Sequence, residues 1–281
     1  MATRDVRELS RLAAEMRLRI VEMMGPNKPH HFGGSLSAAD IVTALYFYKM
    51  RYDPRNPHWP ERDRFLLSKG HCVPAQYAAL AMLGVLPMEE LPTLKKLGSR
   101  LQGHPAMHLT PGIEGCTGSL GQGLSYANGM ALAGRIQGRN YRVYCLMGDG
   151  ETQEGQVWEA AMTSAKQCLG NLTGIIDANG LKAMDATSCG KLMEPMAERW
   201  AAFGWRVREV DGHDLAQLCE ALDWATEGAA APSLIIARTV KGKGVSFIEN
   251  QPQFHNAPLT EAQFRQALAE LEARLAQLRE G

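Results

Sequence analysis

The stretch that most constrains the fold is Tyr141 to Asn179, YRVYCLMGDGETQEGQVWEAAMTSAKQCLGNLTGIIDAN. An apolar run at Val143 to Met147 predicts a strand. A Gly-Asp-Gly turn follows, then a helix over about Glu154 to Leu169. A second apolar run at Thr173 to Ile176 predicts another strand, ending in Asp-Ala-Asn. Asp149 and Asn179 sit just past the two strands. If those strands are parallel neighbours, both side chains emerge at one sheet edge, where open α/β sheets place ligands.

Strand and helix alternate onward: Glu194 to Phe203 helical, Trp205 to Val210 a strand, and Leu215 to Glu227 a helix capped by Asp214. Ser233 to Thr239 is a buried strand, and Thr260 caps a last helix over Glu261 to Leu278. This alternation predicts an α/β fold, a three-layer, doubly wound, mostly parallel sheet. The 281 residues, 45% of them hydrophobic, suit one large domain.

Upstream, Val6 to Met24 has apolar residues at helical spacing. GPNKPHHFGGSLS is expected to be a loop holding His30 and His31 before Gly33-Gly34, with Ser37 as N-cap of a helix over Ala38 to Lys49. Phe65-Leu66-Leu67 is a short strand, followed by Ser68-Lys69-Gly70-His71 and a helix from about Ala75 to Leu83. Met88 to Leu97 is expected to be a short amphipathic helix. The Gly-, Pro- and Ser-rich stretch to Gly123 is too long to sit idle in a compact domain. The helix from about Leu124 to Ile136 is rich in small residues and suits close packing. No Lys-Ser/Thr follows the glycines, so this is not a P-loop.

Thirty basic and 30 acidic residues leave no net charge, which excludes nucleic acid or an acidic membrane surface as the expected partner. The six cysteines form no CxxC pair, so no zinc site is indicated. Cys145 is expected inside a buried strand as a small hydrophobe. With no signal peptide and no membrane-length apolar run, the expected setting is the reducing cytoplasm.

Asp149 and Asn179 are hard oxygen donors of the type Mg²⁺ or Ca²⁺ takes. Gly148 and Gly150 leave room for a diphosphate, and the dipole of the next helix would favour its charge. Spacing alone leaves two readings open: a metal–diphosphate site, or an Asp and an Asn that merely begin loops.

GDG followed after one strand–helix unit by Asn is similar to thiamine-diphosphate enzymes. DRFLLSKGH, GHP at Gly103 to Pro105, TGSLGQG, GDGETQEGQVWEA, DANGL, FGWRVREVDGHD and HNAPL together resemble the N-terminal half of the transketolases, over nearly the whole chain. The resemblance implies one diphosphate-binding domain over residues 1–281. Pyrimidine-binding and C-terminal domains are expected on a partner chain, a C-terminal subunit, in a two-plus-two (α2β2) assembly. It implies thiamine diphosphate with Mg²⁺ or Ca²⁺ as cofactors. Asp149, Asn179 and the Leu181 carbonyl would hold the metal, and His71 and Gly150 the diphosphate. Gly118, Ser119 and Leu120 would line the thiazolium and aminopyrimidine. His31, His104 and His255 would face the substrate or the reacting carbon, and Glu154 would lie near the subunit interface. The implied reaction moves a two-carbon ketol unit from a ketose phosphate to an aldose phosphate, with no activity in this chain alone.

The chain departs from the family pattern in three places. Leu181 to Ala186 lacks the family's Asp-Gly, Ser119 stands where Pro is common, and so does Phe32. The alternatives are the α subunit of a 2-oxo acid dehydrogenase, against which SKGH, GHP and HNAPL stand, a 1-deoxyxylulose-phosphate synthase fragment, and a non-catalytic scaffold.

Overall fold

The computed structural model describes residues 3–182, 194–228 and 230–280. Its sheet is built from β1 (Arg64–Leu67), β2 (Val143–Gly148), β3 (Leu172–Ala178), β4 (Arg206–Asp211) and β5 (Ser233–Arg238). All neighbours are parallel, in the order β1-β2-β3-β5-β4. The central strands β2, β3 and β5 are buried almost end to end, which is why they appear in sequence as unbroken apolar runs. The edge strand β4 carries Arg206, Arg208 and Glu209 and is largely accessible, matching its alternating pattern.

Side chains alternate between two cores. Tyr144, Leu146, Ile175 and Ile235 face one of them. It is closed by α1 (Val6–Met24), α2 (Phe32–Ser37), α3 (Ala39–Ala44), α4 (Val73–Met82), α8 (Leu215–Thr226) and α9 (Glu261–Glu280). Cys145, Met147, Ile176 and Ile236 face the other core, under α5 (Gln122–Ile136), α6 (Gly155–Lys166) and α7 (Met196–Ala202). The expected three layers are present, and Cys145 is fully buried as anticipated.

Three local expectations are corrected. The segment before Ala38 is not all loop: Phe32–Ser37 is helical despite its two glycines. Phe32 and Leu36 are fully buried, and that burial outweighs weak helix propensity. Ser37 therefore caps nothing; its hydroxyl donates to Asp177 Oδ2 at 2.5 Å and lies 3.1 Å from the Gly34 carbonyl. The helix expected to reach Lys49 ends in a π turn at Leu45–Lys49. Met88 to Leu97 forms only a 3₁₀ stretch, Met88–Thr93, because Pro92 removes a donor. The segment after Asn179, expected to be irregular, lies outside the described residues from 183 to 193.

Two glycines bring the β1 turn against the loop before α5. A Cβ on Gly70 would lie 1.7 Å from the Thr117 carbonyl oxygen, and one on Gly123 would lie 2.4 Å from Ser68 Cβ. Only hydrogen fits at either place. Gly129, in α5, has open space where its Cβ would be. Gly70→Ala is thus expected to lower stability by about 3 kcal/mol or more, while Gly129→Ala raises it by about 1 kcal/mol. Urea unfolding of the two variants checks this pair of opposite signs.

Candidate active site

The carboxyl ends of β1, β2, β3 and β5 converge on one cleft of about 460 Å³. β1 delivers Lys69 and His71, β2 delivers Asp149 and Gly150, β3 delivers Asn179 and Leu181, and β5 leads to Lys241. This is the sheet edge anticipated from sequence.

The floor is a buried ion pair between Lys69 on the β1 turn and Asp177 inside β3. Both side chains are essentially inaccessible. Thr239 and Ser37 donate their hydroxyls to Asp177, and Asn179 Nδ2 donates to it at 3.3 Å. Lys69 also donates to the Gly34 carbonyl at 3.1 Å. Burial alone would neutralise both groups. Their mutual attraction prevails, lifting Lys69 to about 12 and holding Asp177 below the usual carboxylate range.

Above the floor lies a set of oxygens. Asp149 accepts from the Gly150 amide at 2.8 Å and the Gly180 amide at 2.7 Å, and Asn179 Oδ1 accepts from Leu181 N at 3.2 Å. Burial and the nearby Asp177 push the Asp149 carboxyl upward, against the pull of the Gly180 and Gly150 amides and of Lys69. The Lys241 ammonium donates to the carbonyls of Leu181 (3.0 Å) and Lys182 (3.2 Å). Two backbone carbonyls, those of Leu181 and Lys182, thus already converge on a cation. A carboxylate, an amide oxygen and a backbone carbonyl fit a hard divalent ion. Among the described residues no group of three His, Cys, Asp or Glu side chains is placed to hold a metal ion. One expectation is adjusted: α6 begins at Gly155, beyond a 3₁₀ turn at Glu151–Gln153, so no α-helix starts directly behind Gly150.

Four histidines line the same cleft. His30 forms a reciprocal backbone bridge with Ala257, both bonds 3.2 Å, which ties the loop of His31 to the loop of His255. The rings of His31 and His71 are 4.9 Å apart, His31 and His255 5.4 Å, and His71 and His255 5.3 Å. His104 lines the same cleft, its loop braced by the Tyr77 hydroxyl on the Gln102 carbonyl at 3.1 Å. Burial holds these rings neutral: His31 falls to about 3, His71 and His255 to about 4, and His104 is lowered as well. Lys241 Nζ donates to His255 Nδ1 at 3.0 Å, so the neutral His255 ring carries its proton on Nε2.

Gly118, Leu120 and Glu154 also line the cleft. Ser119, between the first two, is exposed and is not brought to the lining. The Gly118–Gly121 loop is held by Glu151, a buried carboxylate that accepts from Ser68, from Gly121 N at 2.7 Å and from Gly148 N at 3.0 Å. Glu151, Asp177, Lys69 and Lys241 were not singled out from sequence as site residues. Asp177 had a signal, an acid inside an otherwise apolar strand, which demands a buried counter-charge. Lys241 had only its Gly-rich surroundings.

A family model described as "Transketolase, thiamine diphosphate binding domain" matches residues 9–274. The chain is 44% identical over 265 residues to a 6-deoxy-6-sulfo-D-fructose transketolase subunit of Clostridium sp. (strain MSTE9), covering 94% of this chain and 96% of that one. It is 41% identical over 277 residues to an apulose-4-phosphate transketolase subunit of Phocaeicola vulgatus, covering 98% and 97%. Among solved structures, transketolase from Campylobacter jejuni superimposes with a TM-score of 0.85 at 28% identity, covering 99% of this chain and 46% of that one. The chain thus spans about half the length of that solved transketolase, and nearly all of the two subunits. It belongs to the transketolase family of transferases, as an N-terminal, thiamine-diphosphate-binding subunit.

Two outcomes are expected. Lys69→Met alone leaves a buried carboxylate uncompensated and should cost about 3–5 kcal/mol. Adding Asp177→Asn should recover more than half of it, as chemical denaturation of the single and double variants will show. The histidines give a pH dependence. Their folded values lie below the unfolded value of about 6.5, so folding favours the neutral rings. Their contribution is complete above that value and is lost as pH falls toward 4. Urea midpoints should drop between pH 7.5 and 5.5, and less steeply in the triple variant His31→Asn, His71→Asn, His255→Asn.

Proposed function

We propose that this chain is the diphosphate-binding half of a two-subunit, cytoplasmic transketolase. The observation that carries this reading is one cleft that brings hard oxygen donors and lysines together with four histidines held neutral. Asp149, Asn179 and the Leu181 carbonyl would hold a divalent cation, Mg²⁺ or Ca²⁺, with His71 and Gly150 against the diphosphate. Gly118, Leu120 and, by backbone, Ser119 flank the rings of the cofactor. When bound, thiamine diphosphate supplies the nucleophilic carbon that accepts and releases the ketol unit.

The protein's own part is binding and proton movement. His31, His104 and His255 meet the hydroxyl and carbonyl oxygens of the sugar. A neutral imidazole both donates and accepts, as a ring must where protons move to and from those oxygens. His255, held by Lys241, presents Nε2–H. The family resemblance puts the arginines that grip the sugar's terminal anion outside this chain. That role falls to a partner chain carrying the pyrimidine-binding domain, in an α2β2 assembly with Glu154 near the interface. The substrate class is a ketose donor with a terminal phosphate or sulfonate, supported by the names of the two subunits to which the chain is similar.

Co-expression with a C-terminal transketolase subunit from the same genome tests this reading. The pair should transfer a ketol unit from ketose phosphates or sulfonates to aldoses, and neither chain should do so by itself. Transfer by this chain alone, or decarboxylation of pyruvate by the pair, contradicts the proposal.

A further inference from the structure

The Asp-Gly-His-Asp turn after β4 holds a histidine that the proposed function does not use. His213 is not in the cleft. It meets the β5–Lys241 connection at Val240, at the end of a largely buried chain of polar groups. Arg17 on α1 makes a two-pronged ion pair with Asp40 on α3, one of its bonds 3.1 Å long. Asp40 Oδ2 meets His213 Nδ1 at 2.7 Å, and His213 Nε2 accepts the backbone amide of Val240 at 2.8 Å. The three side chains are 9%, 6% and 14% exposed, so water does not supply these partners.

The order of donors fixes the ring. Because the Val240 amide can only donate, Nε2 must be the bare nitrogen and Nδ1 carries the proton toward Asp40. Burial opposes the Asp40 charge, yet Arg17 and His213 hold its carboxyl below the usual range, so it stays an acceptor.

The amide at the end of this chain sits between two residues of the site. Thr239 donates to Asp177 in the floor, and Lys241 reaches the Leu181 carbonyl and His255 Nδ1. The lysine stem has little freedom of its own, since a Cβ on Gly33 would come within 2.9 Å of its Cγ. Where the Val240 backbone sits therefore decides where the Lys241 ammonium sits. A buried charged relay is a poor device for stability alone, because desolvating its charges offsets most of their attraction. It is a good device for fixing one backbone position.

We propose that His213 is a positioning residue: with Arg17 and Asp40 it clamps the Val240–Lys241 backbone, and through Lys241 it sets the Leu181 carbonyl and the His255 ring. The cofactor part of this inference rests on the reading of the cleft as a thiamine-diphosphate site.

Two variants of the two-subunit complex separate positioning from plain structural support. His213→Gln places an acceptor near the former Nε2 and so keeps the Val240 bond. His213→Asn keeps a donor toward Asp40 but leaves Val240 without its acceptor. Amide hydrogen exchange over residues 238–243 and calorimetry with Mg²⁺ and thiamine diphosphate are the two readouts. The Asn variant should exchange the Val240 amide about tenfold faster and bind the cofactor about five- to tenfold more weakly. The Gln variant should stay within about twofold of the parent in both. Equal losses in the two variants would reduce His213 to a structural residue. Faster exchange in the Asn variant with unchanged cofactor affinity would overturn the link to the site. Unchanged exchange would overturn the clamp itself. A parent complex that fails to bind Mg²⁺ and thiamine diphosphate would instead refute the proposed function, and the exchange data would still decide the clamp.

Discussion

The structure depends first on the ion pair between Lys69 and Asp177. It joins the turn after β1 to the inside of β3, passing beside the end of β2, in a place closed to water. Ser37 from α2 and Thr239 from the end of β5 complete the shell of Asp177. Four segments far apart in sequence are thereby pinned at one point. The elements that carry His31, His71, Asn179 and Lys241 all leave from it. Such a pair adds little net stability compared with apolar packing, but its loss on one side is severe. Its value here is register: it sets which strand ends meet around the cleft.

A second constraint is the pairing of buried charges with neutral histidines in that cleft. Burial and proximity shift each of Asp149, Asp177, Lys69 and Lys241. The histidines are kept neutral by burial and by the lysines nearby. A cofactor with a strongly anionic tail suits the charged groups, and the hydroxyls of a reacting sugar suit neutral rings that both donate and accept. Thiamine diphosphate and a sugar have those properties, which is why the proposed function places them there.

Much of this was legible in the sequence. The two strands around GDG and DAN, the Asp214 cap and the α1 helix follow from local pattern, because apolar periodicity and capping are local properties. The α2 helix was not legible. Its residues FGGSLS have poor helical preference, and only the burial of Phe32 and Leu36 against distant partners makes it form. The site divides the same way. Asp149, Asn179 and the loop histidines stand in recognisable motifs. Lys241 and Glu151 act through contacts across 60 residues and 30 residues of chain respectively, and no local pattern announces such contacts. Ser119 is a motif position that is exposed and is not among the residues lining the cleft.

The central claim is that the oxygens of Asp149, Asn179 and Leu181 form the metal end of a cofactor site. Its most direct test is to locate Mn²⁺ by anomalous scattering in crystals of the two-subunit complex grown with thiamine diphosphate. The account predicts one ion bonded to these three oxygens and to the diphosphate. An ion bound elsewhere in the cleft, or cofactor bound with no ion at these donors, would contradict it.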